Sequence, residues 1–326
     1  MQADAELIGD FLLSLYRSAR EAPVAQYPEI AMDLMQPLLQ FRSGWLGGGT
    51  GTPHGVDVHH AHLYREPTEM RTAYQEVRHL DKAVMNIPKQ TTALTVVHAP
   101  TFFGGQALAP MLNYTRRFGH MSILLATRRD SETGYIEWMS LFRPDPDYLW
   151  NERTCRLAAL LFPHFMEALA LNRAEHHEWM NGHRHEIDHA LATADMRGYL
   201  LQAEPEFLRM VCEEWTQDIR QKKRIPDDVA AHLADGKTWR GRRIAVTVRI
   251  GGVFMFLRAR LLSDVDCLTS REWAIAQLLS QGLNYRAVAK EISVTPQTAK
   301  TYIKGLYEKL SVRNRAELCA VVHRMK

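Results

Sequence analysis

Residues 295–310 read TPQTAKTYIKGLYEKL, and this stretch decides the fold of the C-terminal end of the chain. Thr295 is placed to act as an N-cap, and Pro296 falls at the first helical position, where its missing N–H is one of the helix's unpaired donors anyway. Ala299, Tyr302, Ile303, Leu306 and Leu310 then recur at three- and four-residue spacing, which is one apolar stripe of a helix. Gln297, Lys300, Thr301, Lys304 and Glu308 fall on the opposite face. A helix that packs on one side and presents two lysines, a threonine and a glutamine on the other suits the major groove of duplex DNA. A solvated face is the competing reading of any such charge run, so the neighbouring segments decide.

Upstream, Thr269-Ser270-Arg271-Glu272 forms a capping box, and the helix it opens runs to Gly282, with Ile275, Leu278 and Leu279 pointing inward. Asn284 caps a second helix with Val288, Ala289 and Ile292 on one face, and a tight turn through Ser293-Val294 leads into the third. Downstream, Asn314-Arg315-Ala316-Glu317 is another capping box and opens a short helix through Leu318, Val321 and Val322. Two short helices joined by a tight turn make a helix-turn-helix. Charge agrees with this reading. Residues 268–326 hold ten Lys/Arg against four acids, a balance of +6, while residues 1–267 balance at −3. A basic module on a slightly acidic body is the charge pattern of a chain that meets a polyanion through one end.

These residues also resemble a family. Leu268–Glu272, Gly282–Ala289, Val294–Tyr302, Tyr307–Leu310, Val312 and Arg315–Leu318 are similar throughout to the LuxR-type helix-turn-helix signature. The resemblance implies an all-α four-helix domain that binds double-stranded DNA as a homodimer through its fourth helix. It places Lys300, Thr301 and Lys304 against bases, and Arg286, Thr298, Lys309 and Arg315 against phosphates. Three positions depart from the pattern. Tyr302 stands where His is common, and Gly305 stands where Asn is common, at a helix position where Gly costs about 1 kcal/mol against Ala. Trp273 and Ala274 replace residues that are usually charged. Trp273 would lie in water in an isolated domain, so an interdomain contact is expected there.

Residues 1–172 read as one α/β unit. A helix is expected from Asp4 to about Arg20, apolar segments around Ile30–Leu39, and a strand near Leu38–Trp45. The run Gly44–Gly51 reads as a turn cluster, too irregular to cradle a phosphate. A helix over Glu69–Leu80, strands at Ala93–His98, Met121–Ala126 and Tyr135–Phe142, and a helix at Ala107–Phe118 complete the unit. Ser140–Asp147 followed by a long helix from Glu152 to about His185 is similar to the GAF-like sensor domains of other LuxR-type regulators. Residues 173–262 then carry a linker helix and a smaller α/β unit that resembles a PAS-like module. It has a strand-turn-strand through Ala190–Leu201, a helix at Glu204–Trp215, and a hairpin of Arg243–Val248 and Val253–Arg260 around Gly251-Gly252. The fold class expected is therefore an α+β sensor region, GAF-like then PAS-like, followed by the helix-turn-helix domain at 263–326.

Two histidine groups, His59/His60/His62 and His183/His185/His189, invite a metal reading. Neither includes a Cys, so solvated surface histidines are expected, with no metal and no cofactor. Cys155, Cys212, Cys267 and Cys319 lie far apart without CxxC spacing and are expected as reduced thiols. Trp45, Tyr64, Tyr74, Phe103 and Trp138 are the candidates for lining a ligand pocket. The spacing of Tyr74 and Asp81 is similar to that in acyl-homoserine-lactone sensors, but the preceding Trp and the Asp-Pro pair are missing, which argues against such a lactone. The residue order of a phosphorylated receiver domain is absent. No nucleophile–base or nucleotide-binding constellation survives, so an enzyme is not expected. The function expected is a one-component transcription regulator in the cytoplasm, without membrane contact, controlled by a small-molecule effector. Control by a protein partner is the alternative, and RNA polymerase is carried as a further candidate partner.

Overall fold

The glycine run expected as a turn is a strand. In a computed structural model that describes residues 2–52, 55–85, 92–131, 133–181, 189–215, 219 and 223–323, β1 spans Ser43–Thr52 and lies in the middle of a sheet. It pairs antiparallel with β2 (Gly55–Tyr64) and β5 (Tyr135–Arg143), and the sheet continues through β4 (Ser122–Arg129) to β3 (Thr92–His98), giving the order β2-β1-β5-β4-β3. The glycines are there because large rings lie on both faces. A Cβ on Gly47 would come within 2.3 Å of the Trp138 ring and 2.8 Å of the His60 carbonyl, and one on Gly48 within 2.4 Å of both His60 Nε2 and the Tyr135 hydroxyl. Composition alone marks such a run as a loop; only the cross-strand neighbours explain it.

The β1–β2 register shifts between Gly48 and Gly49: Gly48 faces His60 and Gly49 faces Val58, which leaves His59 as the extra residue of a β-bulge. The bulge reverses the alternation along β2. Before it, Val56 and Val58 belong to the apolar cluster with Trp45, Tyr74 and Trp138; beyond it, Ala61 and Leu63 do, and Tyr64 joins the opposite cluster with Phe41 and Met35. His59 and His60, consecutive in sequence, both point away from the Trp45 side. The expectation of solvated histidines fails for both. His59 Nδ1 lies 2.7 Å from Asp195 Oδ2 with both side chains 1 % exposed, and His60 packs on Phe254 at 5.0 Å between centroids. His183 and His185 lie outside the described residues.

Helices cover each face of this sheet. On one side, α1 (Gln2–Glu21), α2 (Tyr27–Leu39) and α7 (Glu152–Asn181) bury Phe11, Leu15, Met32, Met35, Phe162 and Phe165. Asn172 of α7 donates to the carbonyls of Ala19 and Ala22 at 2.8 and 2.7 Å, which pins the end of α1. Over Glu152–His176, α7 is long and apolar enough to cross a membrane by composition, yet its Ala158, Leu161, Phe162, Phe165 and Met166 are packed in this core. On the other side lie α3 (Glu69–Val77), α4 (Lys82–Met85), α5 (Ala99–Phe102) and α6 (Ala109–Phe118). The expected helix over Glu69–Leu80 is α3 followed by a 3-10 turn at Arg78–Leu80.

A second antiparallel sheet follows, made of β6 (His189–Asp195), β7 (Leu200–Ala203), β8 (Trp239–Arg240), β9 (Ile244–Gly251) and β10 (Phe254–Leu261), in the order β7-β6-β10-β9-β8. Counted within each sheet, both follow the order 2-1-5-4-3, so the α+β region read from the sequence repeats one topology twice. Gly198 and Gly252 take φ of +84° and +62° at the two turns where the sequence places them. Helices α8 (Pro205–Glu214) and α9 (Asp227–Ala234) supply Phe207, Val211, Val229 and Leu233 to its core.

The chain divides into two compact units, residues 1–240 with 246–259, and residues 241–245 with 260–326. The second unit carries α10 (Ser270–Ser280), α11 (Tyr285–Glu291), α12 (Pro296–Lys309) and α13 (Arg315–His323).

Gly47→Ala is expected to lose about 1–3 kcal/mol of stability, the usual range for overpacking a close-packed site. Gly51→Ala, whose Cβ would meet only Ile136 at 3.6 Å, is expected to stay within about 0.5 kcal/mol. Chemical denaturation of both variants checks the difference.

Candidate nucleic-acid interface and ligand chamber

The C-terminal unit is built from its caps. The Thr269 hydroxyl accepts the Glu272 N–H, and the Glu272 carboxylate accepts the Thr269 N–H at 2.7 Å, so both halves of the capping box are made. Asn284 Oδ1 accepts the N–H groups of Arg286 and Ala287, each at 3.0 Å, and Thr295 accepts the Thr298 N–H. Asn314 caps α13 through the Glu317 N–H at 2.9 Å, while the Glu317 carboxylate takes the Arg313 N–H rather than completing a reciprocal box. Gly282 takes φ of +106° just past α10, and Ser293 sits at +55° in the turn between α11 and α12. The apolar stripes meet in one core of Ile275, Leu279, Val288, Leu306, Leu310, Leu318 and Val322.

The outward face of α12 is the one read from the sequence. Gln297, Lys300, Thr301 and Lys304 are exposed, while Ala299 and Leu306 are buried. Lys300 Nζ lies 4.7 Å from the centroid of the Tyr285 ring, whose hydroxyl accepts the Arg286 Nε–H at 3.2 Å. Sequence reasoning passed over Tyr285; its position one residue past the Asn284 cap was the available signal. Arg286 and Lys300 lower the Tyr285 hydroxyl below the usual phenol range, through the Arg286 hydrogen bond first.

Two residues expected at phosphates are committed inside the unit. Lys309 Nζ lies 2.9 Å from the Glu272 carboxylate, tying α12 to the first capping box. Arg315 Nε donates at 2.8 Å to the Leu279 carbonyl, closing the C-terminus of α10. Arg286 and Thr298 remain exposed. Trp273 is half-buried and packs on the core of its own unit, so the premise that an isolated domain would leave it in water does not hold. Gly305 has nothing within 4 Å of the place a Cβ would occupy, so close packing within the chain does not explain it.

Arg260 and Asp266 anchor the start of this unit with a two-pronged ion pair at 2.6 and 2.5 Å. Burial alone would raise the Asp266 carboxyl, but the Arg260 fork and the Ser263 N–H outweigh it and hold it at about 2.

In the first unit, Trp45, Tyr74, Phe103 and Trp138 line one chamber, together with Val58, Asp81, Tyr114 and His120; its empty space is about 700 Å³, part of it open to solvent. Tyr64, the fifth aromatic expected there, lies across the sheet, and its hydroxyl donates to Asp33 at 2.6 Å. The bulge at His59 is the cause: without it Tyr64 would have kept the parity of Val56 and Val58. Trp45 stands edge-on to Tyr74 at 5.0 Å and to Trp138 at 5.7 Å. The Tyr74 hydroxyl donates to Asp81 Oδ2 at 2.9 Å, and Asp81 Oδ1 accepts the Ala83 N–H at 3.1 Å. Burial pushes both the Asp81 carboxyl and the Tyr74 hydroxyl up. The Trp45 indole N–H is buried there without a partner. The chamber thus sets an unused donor beside a buried carboxylate, in walls that are otherwise apolar and aromatic.

Comparison with known proteins places the C-terminal unit. Residues 266–322 match the model of the bacterial regulatory proteins of the luxR family. The probable transcriptional regulatory protein NarL of Mycobacterium tuberculosis is 32 % identical over 87 residues, which are 27 % of this chain and 40 % of that protein. The nitrate/nitrite response regulator protein NarL of Escherichia coli is 35 % identical over 66 residues, 20 % of this chain and 31 % of that protein. The chain therefore spans well under half of the length of these relatives. Among solved structures, the N-acylhomoserine lactone dependent LuxR family transcription factor CepR2 of Burkholderia cenocepacia overlaps 49 % of this chain and 90 % of its own at 16 % identity and a TM-score of 0.39, an overlap too loose to transfer a ligand or a mechanism.

Two measurements test this unit. Gly305→Ala is expected to raise its stability by about 1 kcal/mol, read as a higher thermal midpoint. Asp266 has a folded value of about 2 against about 3.9 when unfolded, so its contribution is present above pH 4 and is lost as the pH falls from about 4 to 2. Asp266→Asn is expected to lower the midpoint at pH 7 and to flatten its fall across that acid window.

Proposed function

From the LuxR-type helix-turn-helix domain at residues 266–322, we propose that this chain is a one-component, sequence-specific DNA-binding transcription regulator that works as a homodimer in the cytoplasm. The observation that carries the reading is the free face of α12. Lys300, Thr301 and Lys304 stand exposed on a helix whose other side is buried and whose start is capped, the form a helix needs to enter a major groove as a rigid body. Lys300 and Lys304 are the base-reading candidates, with Thr301 between them. Arg286 and Thr298 hold phosphates at the start of α11 and α12. Lys309 and Arg315 contribute mainly by fixing the helices that carry the others. Lys304 lies 3.7 Å from Glu308 with both side chains largely in solvent, a pair weak enough to open when a base is offered.

The chamber of the first unit supports a small-molecule effector. The unpaired Trp45 N–H calls for an acceptor on the ligand, and the walls of Val58, Phe103, Tyr114 and Trp138 call for an apolar body. The effector we infer is uncharged, because no Lys or Arg is among the described residues that line the chamber. Such a ligand regulates only to the extent that it binds one arrangement of the protein better than another.

Selection of binding sites from random duplexes, followed by titration with Lys300→Ala and Lys304→Ala, is expected to cost about 1–3 kcal/mol, unevenly across sequences. Arg286→Ala is expected to weaken binding to all duplexes alike and to flatten the salt dependence by about one ion. Selection that enriches no sequence would end the reading. A thermal-shift screen of uncharged apolar metabolites tests the effector, and Trp45→Phe is expected to lose the shift from any hit whose acceptor meets the indole N–H.

A further inference from the structure

The first unit contains a second cavity on the far side of the sheet from the chamber. About 830 Å³ of empty space, part of it open to solvent, lies between β1 and β2, the helix α7, the start of α2 and the β9–β10 hairpin. Its walls are mostly apolar, with Leu46, Met166, Leu169, Trp138, Val253 and Phe254 among them. Two buried polar side chains interrupt them. Arg173, 5 % exposed, has no partner for its Nε, and its Nη2 is 3.8 Å from Glu137, too long for a hydrogen bond. Glu137 is taken already: Arg128 holds the same carboxylate through both Nε, at 2.9 Å, and Nη2. His60, which the bulge turns to this side, has no partner for Nε2.

The polar groups at this place are not all met. Two guanidinium groups share one carboxylate, and burial, with Arg173 as the second cause, drives the His60 imidazole down to about 4, so it adds no charge at neutral pH. Glu167 and Asp195 add negative field around Arg173 and His60, but neither supplies an acceptor to Arg173 Nε or a partner to His60 Nε2. His62 and Glu29 at the margin are paired with each other at 2.9 Å. A buried guanidinium with an unmet donor is costly unless something completes it. The Phe254 ring, 5.3 Å from the Arg173 guanidinium, covers it without supplying an acceptor.

We propose that this cavity is a second ligand site, one that takes a small organic carboxylate with an apolar tail. The carboxylate would accept from the unmet Arg173 Nε, with the tail along Met166, Leu169 and Phe254. The site differs from the Trp45 chamber in chemistry, a buried guanidinium here and a buried acid there, although Trp138 borders both.

Titration calorimetry on the full chain tests this with hexanoate and 3-phenylpropanoate, each against its neutral counterpart, 1-hexanol and 3-phenylpropanol. At least one carboxylate is expected to bind ten times or more tighter than its alcohol. Arg173→Gln should erase that preference. Val253→Trp, at a position 43 % exposed on the β9–β10 turn, should block the mouth without touching the core. Ala83→Trp, in the wall of the other chamber, should leave the preference intact. Bound carboxylate should also raise the His60 titration seen by NMR. Equal binding of acid and alcohol, no binding of either acid, a preference that survives Val253→Trp, or one lost in Ala83→Trp overturns the proposal. Should Arg173→Gln fail to fold, the two tryptophan variants still decide it. No DNA enters the measurement, so its failure would leave the reading of the C-terminal unit untouched.

Discussion

The buried pair of His59 and Asp195 holds the first unit together, and a single extra residue makes it reachable. His59 is the bulged position of β2, set 2.7 Å from a carboxylate at the end of β6 in the second sheet, with its other ring nitrogen 3.1 Å from the Thr50 hydroxyl. Asp195 also accepts the N–H groups of Arg197 and Tyr199, each at 2.9 Å, so the same carboxylate organises the β6–β7 turn. Every polar atom of this contact has a partner, which is what a buried ionisable pair needs to stabilise rather than strain a fold. Around it, Arg197 meets Asp57 and Lys223 meets Asp130, so charged groups from the second α+β element repeatedly close on the first.

The bulge also decides which residues can act together. It places Val56, Val58, Ala61 and Leu63 on the Trp45 side and leaves His59, His60 and Tyr64 on the other. One face therefore closes as an aromatic chamber with a buried acid, and the other as a cavity with a buried guanidinium whose Nε is unmet. The glycines of β1 are the counterpart of this arrangement. The rings of Trp138, Tyr135 and His60 lie where side chains of Gly47 and Gly48 would stand, so removing those side chains is what lets the sheet carry large groups over both faces.

The sequence made some of this legible, for physical reasons that differ by region. In the C-terminal unit the signals are local: Thr269, Asn284, Thr295 and Asn314 cap the helices they precede, and the three- to four-residue stripe of α12 is buried as its spacing requires. Strands β3, β4 and β5 and the hairpin at Gly252 were legible from β-branched runs bounded by turn residues. The glycine strand was not, because glycine's usual message is a turn and the reason for it here lies in residues ninety positions away. Tyr64 and the histidines were misplaced for one shared reason. Period-two reasoning cannot see a bulge, and one inserted residue moves everything beyond it to the other face. Four of the five aromatics proposed as pocket lining nevertheless share a chamber, since Trp45, Tyr74, Phe103 and Trp138 do not lie beyond that point on β2.

On the proposed function, the internal completeness of the C-terminal unit limits how an effector could act. Its four helices are capped, Trp273 is packed on its own core, Lys309 is tied to Glu272 and Arg315 to the Leu279 carbonyl. A unit whose polar groups are satisfied and whose core is closed has no half-made element for a distant ligand to fold. On the proposed reading, control of such a domain falls on the arrangement of whole units or of two copies, with the exposed face of α12 unchanged in itself. That kind of control transmits only a difference in affinity between arrangements. The tighter an effector fits every arrangement alike, the less it regulates, so the polar groups that make a chamber selective matter more to regulation than the apolar area that makes it sticky.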